Sequence, residues 1–190
     1  MHNIYLVGFM GTGKSAVGKE LAHRKKMCFL DLDELIELRQ RMTIFDIFAQ
    51  EGEPAFRRIE KKTLREAARE KGFVVACGGG IVIDPENIRI MKEAGVVICL
   101  QATPEAILKR TSGTAHRPLL NVADPKSQIE LLLKLRAPYY AQADKTIDTS
   151  ELTVEEVVEK IIKVSGLKVA RRPADSRKVN KPQARRKRRG

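Results

Sequence analysis

The chain reads as an α/β protein: a parallel sheet with helices on both faces. Three observations carry that reading. Short unbroken apolar runs, NIYLV (3–7), FVVAC (73–77) and VVICL (96–100), have the pattern of strands buried on both sides. Each is followed by helical periodicity rather than a hairpin turn, as parallel βαβ units require. Finally, the runs end in Gly-rich or acidic segments at 8–15, 31–33 and 78–80. Ligands of such sheets bind beyond the carboxyl ends of the strands, so the three segments converge on one edge.

The elements follow in order. NIYLV is the first strand, and GFMGTGKS (8–15) is a Gly-rich turn. The next stretch is helical to about Lys25, with Val17, Leu21 and Ala22 on one face. MCFL (27–30) is the second strand, and the helical segments after it are interrupted near Met42, Thr43 and Gly52. Arg57 and Arg58 open an amphipathic helix over 53–71, with Phe56, Ile59, Thr63, Leu64 and Ala67 sharing a face and Gly72 at its end. FVVAC runs into three glycines. Asp84-Pro85 and Thr103-Pro104 each place a capping side chain before a proline at a first helical position. The polar segment 112–124 is long enough for a functional lid. A helix over about 125–141, a fifth strand KTIDT (145–149) and a helix over about 152–165 complete the count.

Composition limits the function classes. The 190 residues are 43% hydrophobic and 32% charged, the balance of a globular domain. Apolar runs such as GVVICL are too short to span a bilayer. The N-terminal stretch lacks the basic start and small-residue cleavage site of a secretory signal, so a cytoplasmic location is expected. Cys28, Cys77 and Cys99 form no CxxC pair and lie in apolar stretches, which predicts buried reduced thiols. Three scattered histidines make a zinc site improbable. Net charge is +12, yet residues 168–190 hold 11 basic residues and one acid, leaving 25 basic and 23 acidic residues in 1–167. The expected organisation is a nearly neutral domain, 1–167, with a basic tail, 168–190. The tail has no aromatic residue and no apolar periodicity. It is read as a disordered, solvated extension, the only part through which nucleic acid could bind.

GFMGTGKS matches G-x-x-x-x-G-K-[ST] between a strand and a helix, the context that motif needs. Its glycines let backbone N–H groups turn inward around phosphate oxygens, and the helix N-terminus adds its positive end. Lys14 supplies charge to the outer phosphates, and Ser15 is a ligand for Mg²⁺. A nucleoside triphosphate is therefore expected. The loop does not separate an ATPase, a GTPase and a small-molecule kinase, although no guanine-reading N-K-x-D stretch is present.

The acceptor is read from the other motifs. In FLDLDELIE, Asp31 and Asp33 have two readings. Asp31 with Glu34 fits a helix cap. Alternatively, both carboxylates point the same way from an extended segment, one toward a hydrated metal and one toward an attacking hydroxyl. In GEPAFRRIE, Arg58 reads as surface charge, whereas Arg57 beside Phe56 can flank a site for a carboxylate. Gly78, Gly79 and Gly80 either form a flexible turn or bring backbone N–H groups to a ligand. Arg110 and Arg117 flank the lid segment, and Arg136 follows an apolar run. Each is ordinary surface charge or a partner for an anion.

Taken together, GFMGTGKS, DLD, GEPAFRRIE, CGGG, RPLL and RAPYY resemble, in order, the motifs of the shikimate kinase family over about residues 3–165. That resemblance implies a P-loop NTPase fold of the nucleoside-monophosphate-kinase type with a five-stranded parallel sheet. It implies transfer of the ATP γ-phosphoryl group to the 3-hydroxyl of shikimate, with Mg²⁺, by a monomer. By the same resemblance, Gly11, Thr12, Gly13, Lys14, Ser15 and Ala16 bind the nucleotide, with Arg110 near the adenine. Lys14, Asp33 and the lid residue Arg117 are catalytic, Asp33 being placed as base; Asp31 and Ser15 serve the metal. Arg57 and Arg136 hold the substrate carboxylate, and Gly78–Gly80 line its pocket. Other readings stay open at this point: a gluconate or nucleotide kinase of the same fold, or a silent domain that presents the tail.

Overall fold

A computed structural model describes residues 2–112, 122 and 124–164. The basic tail, most of the lid segment and Arg117 within it lie outside the described residues. Five strands, β1 (Asn3–Val7), β2 (Cys28–Asp31), β3 (Phe73–Ala76), β4 (Gly95–Gln101) and β5 (Lys145–Asp148), form one sheet in the order β2-β3-β1-β4-β5. Every pairing is parallel, with Tyr5 opposite Val75 on one side and Val97 on the other. The central strand β1 is buried at all five positions, as its apolar run predicts.

Helices cover both faces. Those on the described residues are α1 (Lys14–Lys25), α2 (Leu32–Gln40), α3 (Ile44–Arg69), α4 (Pro85–Ala94), α5 (Pro104–Thr111), α6 (Pro125–Tyr140) and α7 (Val154–Val164). Alternation along β1 sends Ile4 and Leu6 to one core, with Val17 and Leu21 of α1 and Val157, Val158 and Ile161 of α7. Tyr5 and Val7 go to the other core, with Ile36 of α2, Phe56 and Leu64 of α3, Met91 of α4 and Ile129 of α6.

Local signals set the helix ends. Asp84 and Thr103 cap α4 and α5 by accepting from the N–H groups of Glu86 and Ala106, with proline at the first position of each helix. Gly52, at φ 79° and ψ 168°, breaks α3 internally, and Pro54 sits in the restarted first turn. Arg57 and Arg58 therefore lie one turn inside the second half of α3 and do not open it. Arg58 is exposed, as expected. Cys77 and Cys99 are buried, and burial pushes the Cys99 thiol up to about 12 and the Cys77 thiol well above its ordinary value. Cys28 differs: it is exposed. It starts β2, which pairs only with β3 at the edge of the sheet, so its apolar neighbours did not guarantee burial.

Candidate active site

At the carboxyl end of β1 the chain turns through Gly8–Gly13 into α1. Gly8, Gly11 and Gly13 have φ of 135°, 76° and 94°, a region L side chains rarely adopt. A Cβ on Gly8 would also strike the Leu100 carbonyl oxygen of the neighbouring strand. Gly13 caps α1 with no side-chain hydrogen bond, and the first turn carries no acid. The amide groups of that turn and the positive end of the helix are thus presented to an anion. Lys14 Nζ donates to the carbonyls of Gly8 and Phe9, each at 2.9 Å, and so lies along the loop. Thr12 is buried, its hydroxyl donating to the Phe9 carbonyl at 2.8 Å; Ser15 and Ala16 are exposed on the first turn.

Asp31 ends β2 and caps α2. Its Oδ1 accepts from the Asp33 N–H at 3.1 Å, and its Oδ2 accepts from the Ser15 hydroxyl at 2.7 Å. Asp31 is thus the cap that the sequence allowed, and its other oxygen also reaches Ser15 at the phosphate loop. The two aspartates do not share an extended segment, because the helix begins at Leu32. They meet because a capping residue and the second residue of its helix are hydrogen-bonded neighbours. Burial, reinforced by the Asp31 charge, pushes the Asp33 carboxyl up to about 6, against the pull of Lys14 and Arg57.

The segment after β3 draws the remaining groups together. A Cβ on Gly78 would stand 2.9 Å from Asp33 Oδ1 and 3.1 Å from Glu60 Oε1. On Gly79 it would stand 3.6 Å from an Arg136 guanidinium nitrogen and 3.7 Å from the Tyr140 hydroxyl, which donates to the Gly79 carbonyl at 2.7 Å. On Gly80 it would strike the Arg57 guanidinium. Gly78 and Gly80 let the backbone run against a charged side chain, and Gly79 lets it pass close to the Gly8 carbonyl oxygen. Arg57 donates to Glu60 Oε2 at 2.7 Å from one nitrogen and to Glu53 Oε1 at 3.1 and 2.9 Å from the other two. Arg136 stacks over the Phe9 ring, 5.7 Å from its centroid, which ties α6 to the phosphate loop.

Arg110 sits at the far rim. Its guanidinium donates to the carbonyls of Thr149 and Ser150 at 2.5 and 3.1 Å and to the Thr149 hydroxyl at 3.1 Å, with a longer 3.5 Å contact to the Gly11 carbonyl. Thr149 is buried, and its hydroxyl lies 3.2 Å from the Thr12 carbonyl and 3.0 Å from that of Gln101. It therefore joins β4, β5, α5 and the phosphate loop at one point. Thr149→Val removes a buried hydroxyl that faces the Thr12 and Gln101 carbonyls and the Arg110 guanidinium. The expected cost is about 1–3 kcal/mol, a fall in Tm of roughly 2–12 °C for a domain of this size. Thr149→Ser, which keeps the hydroxyl, is expected to lose far less when both are melted under the same conditions.

The family model described as shikimate kinase matches residues 10–165. A shikimate kinase of Thermoanaerobacter pseudethanolicus is 49% identical over 163 residues, 86% of this chain and 95% of that protein. The chain belongs to the shikimate kinase family. Solved shikimate kinases share the fold. The enzyme from Acinetobacter baumannii in complex with shikimate matches with a TM-score of 0.83 at 39% identity, covering 87% of this chain and 93% of that one. The enzyme from Aquifex aeolicus matches with a TM-score of 0.76 at 32% identity, covering 86% and 96%. The five-stranded parallel sheet is that of the P-loop NTPases.

Within this shikimate kinase fold, Gly11–Ala16, Asp31, Asp33, Arg57, Gly78–Gly80, Arg110 and Arg136 all fall at one edge of the sheet. Glu60, at the end of GEPAFRRIE, joins the site although the motifs assign it no role. It is fully buried, and burial pushes its carboxyl up to about 7 despite the Arg57 guanidinium. Its signal was present: it is a carboxylate at a core position of the face formed by Phe56, Thr63, Leu64 and Ala67. Asp33 Oδ1 and Glu60 Oε1 are buried and lack a hydrogen-bond partner among the described residues. Two such acceptors facing one glycine form a place suited to hydroxyl donors.

Proposed function

We propose that the chain transfers the γ-phosphoryl group of ATP to the 3-hydroxyl of shikimate, giving shikimate 3-phosphate and ADP. Membership of the family supports this. The observation that carries the assignment of roles is the position of Asp33, a carboxylate of raised pKa beside Asp31 and Gly78, between the phosphate loop and the Arg57 guanidinium. In the proposed complex the N–H groups from Gly11 to Ala16 surround the phosphates. Lys14 leaves the Gly8 and Phe9 carbonyls for phosphate oxygens, which are the stronger acceptors. Asp33 accepts the proton of the attacking hydroxyl. Arg57 and Arg136 hold the carboxylate of the acid, and the Gly78–Gly80 backbone lines its ring. Arg110, at the rim of the phosphate loop, lies near the adenine. Arg117 closes over the transferring group; that role rests on the sequence resemblance.

The oxygens of Ser15 and Asp31, 2.7 Å apart beside the phosphate loop, are the hard donors Mg²⁺ prefers. They would hold the ion directly or through water, and when bound it would neutralise charge on the β- and γ-phosphates. Among the described residues no helix is long and apolar enough to cross a membrane. We read the chain as a cytoplasmic monomer with a kinase unit, 1–167, and a basic tail, 168–190.

Arg57→Lys and Arg136→Lys test the carboxylate site. Each exchanges a planar fork for a point charge. Losing one charge-assisted hydrogen bond of about 1.5–3 kcal/mol is expected to raise the shikimate KM roughly 10- to 100-fold. The ATP KM is expected to stay within about twofold, because neither arginine takes part in the proposed phosphate cradle. Steady-state kinetics with each substrate varied in turn reads the split; a rise confined to ATP would refute the assignment.

A further inference from the structure

Arg57 is held by two carboxylates of different character. Glu60 is walled in, its side chain 1% exposed, whereas the Glu53 side chain is 59% exposed. A single Glu53 oxygen accepts from both the Nε and the terminal nitrogen on one edge of the guanidinium. That edge is one of the two by which an arginine grips a carboxylate as a fork. Glu53 also follows directly on Gly52, where the backbone leaves the helical region at φ 79°, and it lines a cavity of about 510 Å³ together with Gly80, Ile83 and Asn87.

We propose that Glu53 is a displaceable placeholder for the substrate carboxylate: it occupies one edge of Arg57 in the free enzyme and swings into the adjoining cavity when the acid binds. The inference rests on the reading of Arg57 as the carboxylate partner. Charge is the reason that one acid must yield. Glu53 alone balances the Arg57 charge, and the Glu60 and Asp33 carboxyls stand close by. A third carboxylate arriving there is repelled unless one leaves. Among the described residues Glu60 is walled in. Glu53 has exposure, a cavity beside it and a backbone break immediately before it. The arrangement keeps Arg57 extended without substrate. It also disfavours neutral polyols, which bring no charge with which to displace Glu53.

Glu53→Gln removes the competing charge at an exposed position. Titration calorimetry with full-length protein is expected to give a shikimate Kd lower by about two- to fivefold, the range of a partly exposed ion pair. The Kd for shikimate methyl ester, whose carboxylate is blocked, and the Kd for ATP are expected not to change. An unchanged or raised shikimate Kd in the variant would overturn the placeholder role and make Glu53 a brace for Arg57. A separate result, wild-type protein binding the methyl ester as tightly as shikimate, would overturn the carboxylate assignment of Arg57 itself.

Discussion

Asp33→Asn is expected to lower kcat for shikimate by at least about 100-fold, the usual contribution of a positioned general base. Asparagine keeps the size and can still accept a hydrogen bond from the hydroxyl, so the shikimate KM is expected to move little. What it loses is the ability to take the proton. A carboxyl pushed up to about 6 by burial and by Asp31 is better matched to that task near neutral pH than an ordinary aspartate. In the wild type, kcat/KM is accordingly expected to rise with pH through an apparent pKa near 6, and the variant is expected to lose that limb. Coupled assay of ADP release across pH reads both effects; a loss under tenfold would remove Asp33 as base.

The same shift has a stability consequence. The folded-state pKa of Asp33 lies above its ordinary value of 3.8, so the stability it contributes is fully present below that value. It is lost as pH rises through about 6. Asp33→Asn is therefore expected to melt higher than the wild type at pH 8, with the gap closing toward pH 5. Glu60, raised to about 7 from 4.5 by burial, adds to the same trend in the wild type. The site holds two acids that folding alone would prefer neutral, which is how a reactive centre opposes stability.

Lys14→Ala is the second large effect. The phosphate loop supplies backbone N–H groups regardless of this side chain, but Lys14 is the ammonium that the motif places beside the outer phosphates. Removing one preorganised charge from the transferring group costs on the order of 10²- to 10³-fold in kcat. Because Lys14 Nζ donates to carbonyls of its own loop, those of Gly8 and Phe9, the fold is expected to survive the change. Single-turnover transfer measured at saturating ATP separates the chemical step from weakened binding. A variant with normal single-turnover rate and raised ATP KM would restrict Lys14 to binding.

The sequence carried the frame because its signals there are local and redundant. All five strands lie within a residue or two of where apolar runs place them, and Asp84-Pro85 and Thr103-Pro104 start helices where a cap and a fixed φ dictate. What it could not supply were relations between distant residues. Nothing local shows that Thr149 bonds toward Thr12 and Gln101, or that Glu53 rather than solvent occupies an edge of Arg57. Strand alternation does not bring Asp31 and Asp33 together: one is a cap and the other is already helical. Cys28 shows the same limit: an apolar run identifies a strand but not whether that strand is central or at the edge.

The identity of the acceptor is read by ADP release with shikimate, gluconate and nucleoside monophosphates assayed in parallel, with Asp33→Asn as the control. A site that combines an arginine pair for a carboxylate with an aspartate for a hydroxyl predicts turnover with shikimate alone, slowed at least about 100-fold in the control. Turnover with gluconate or a nucleoside monophosphate but not with shikimate would contradict it.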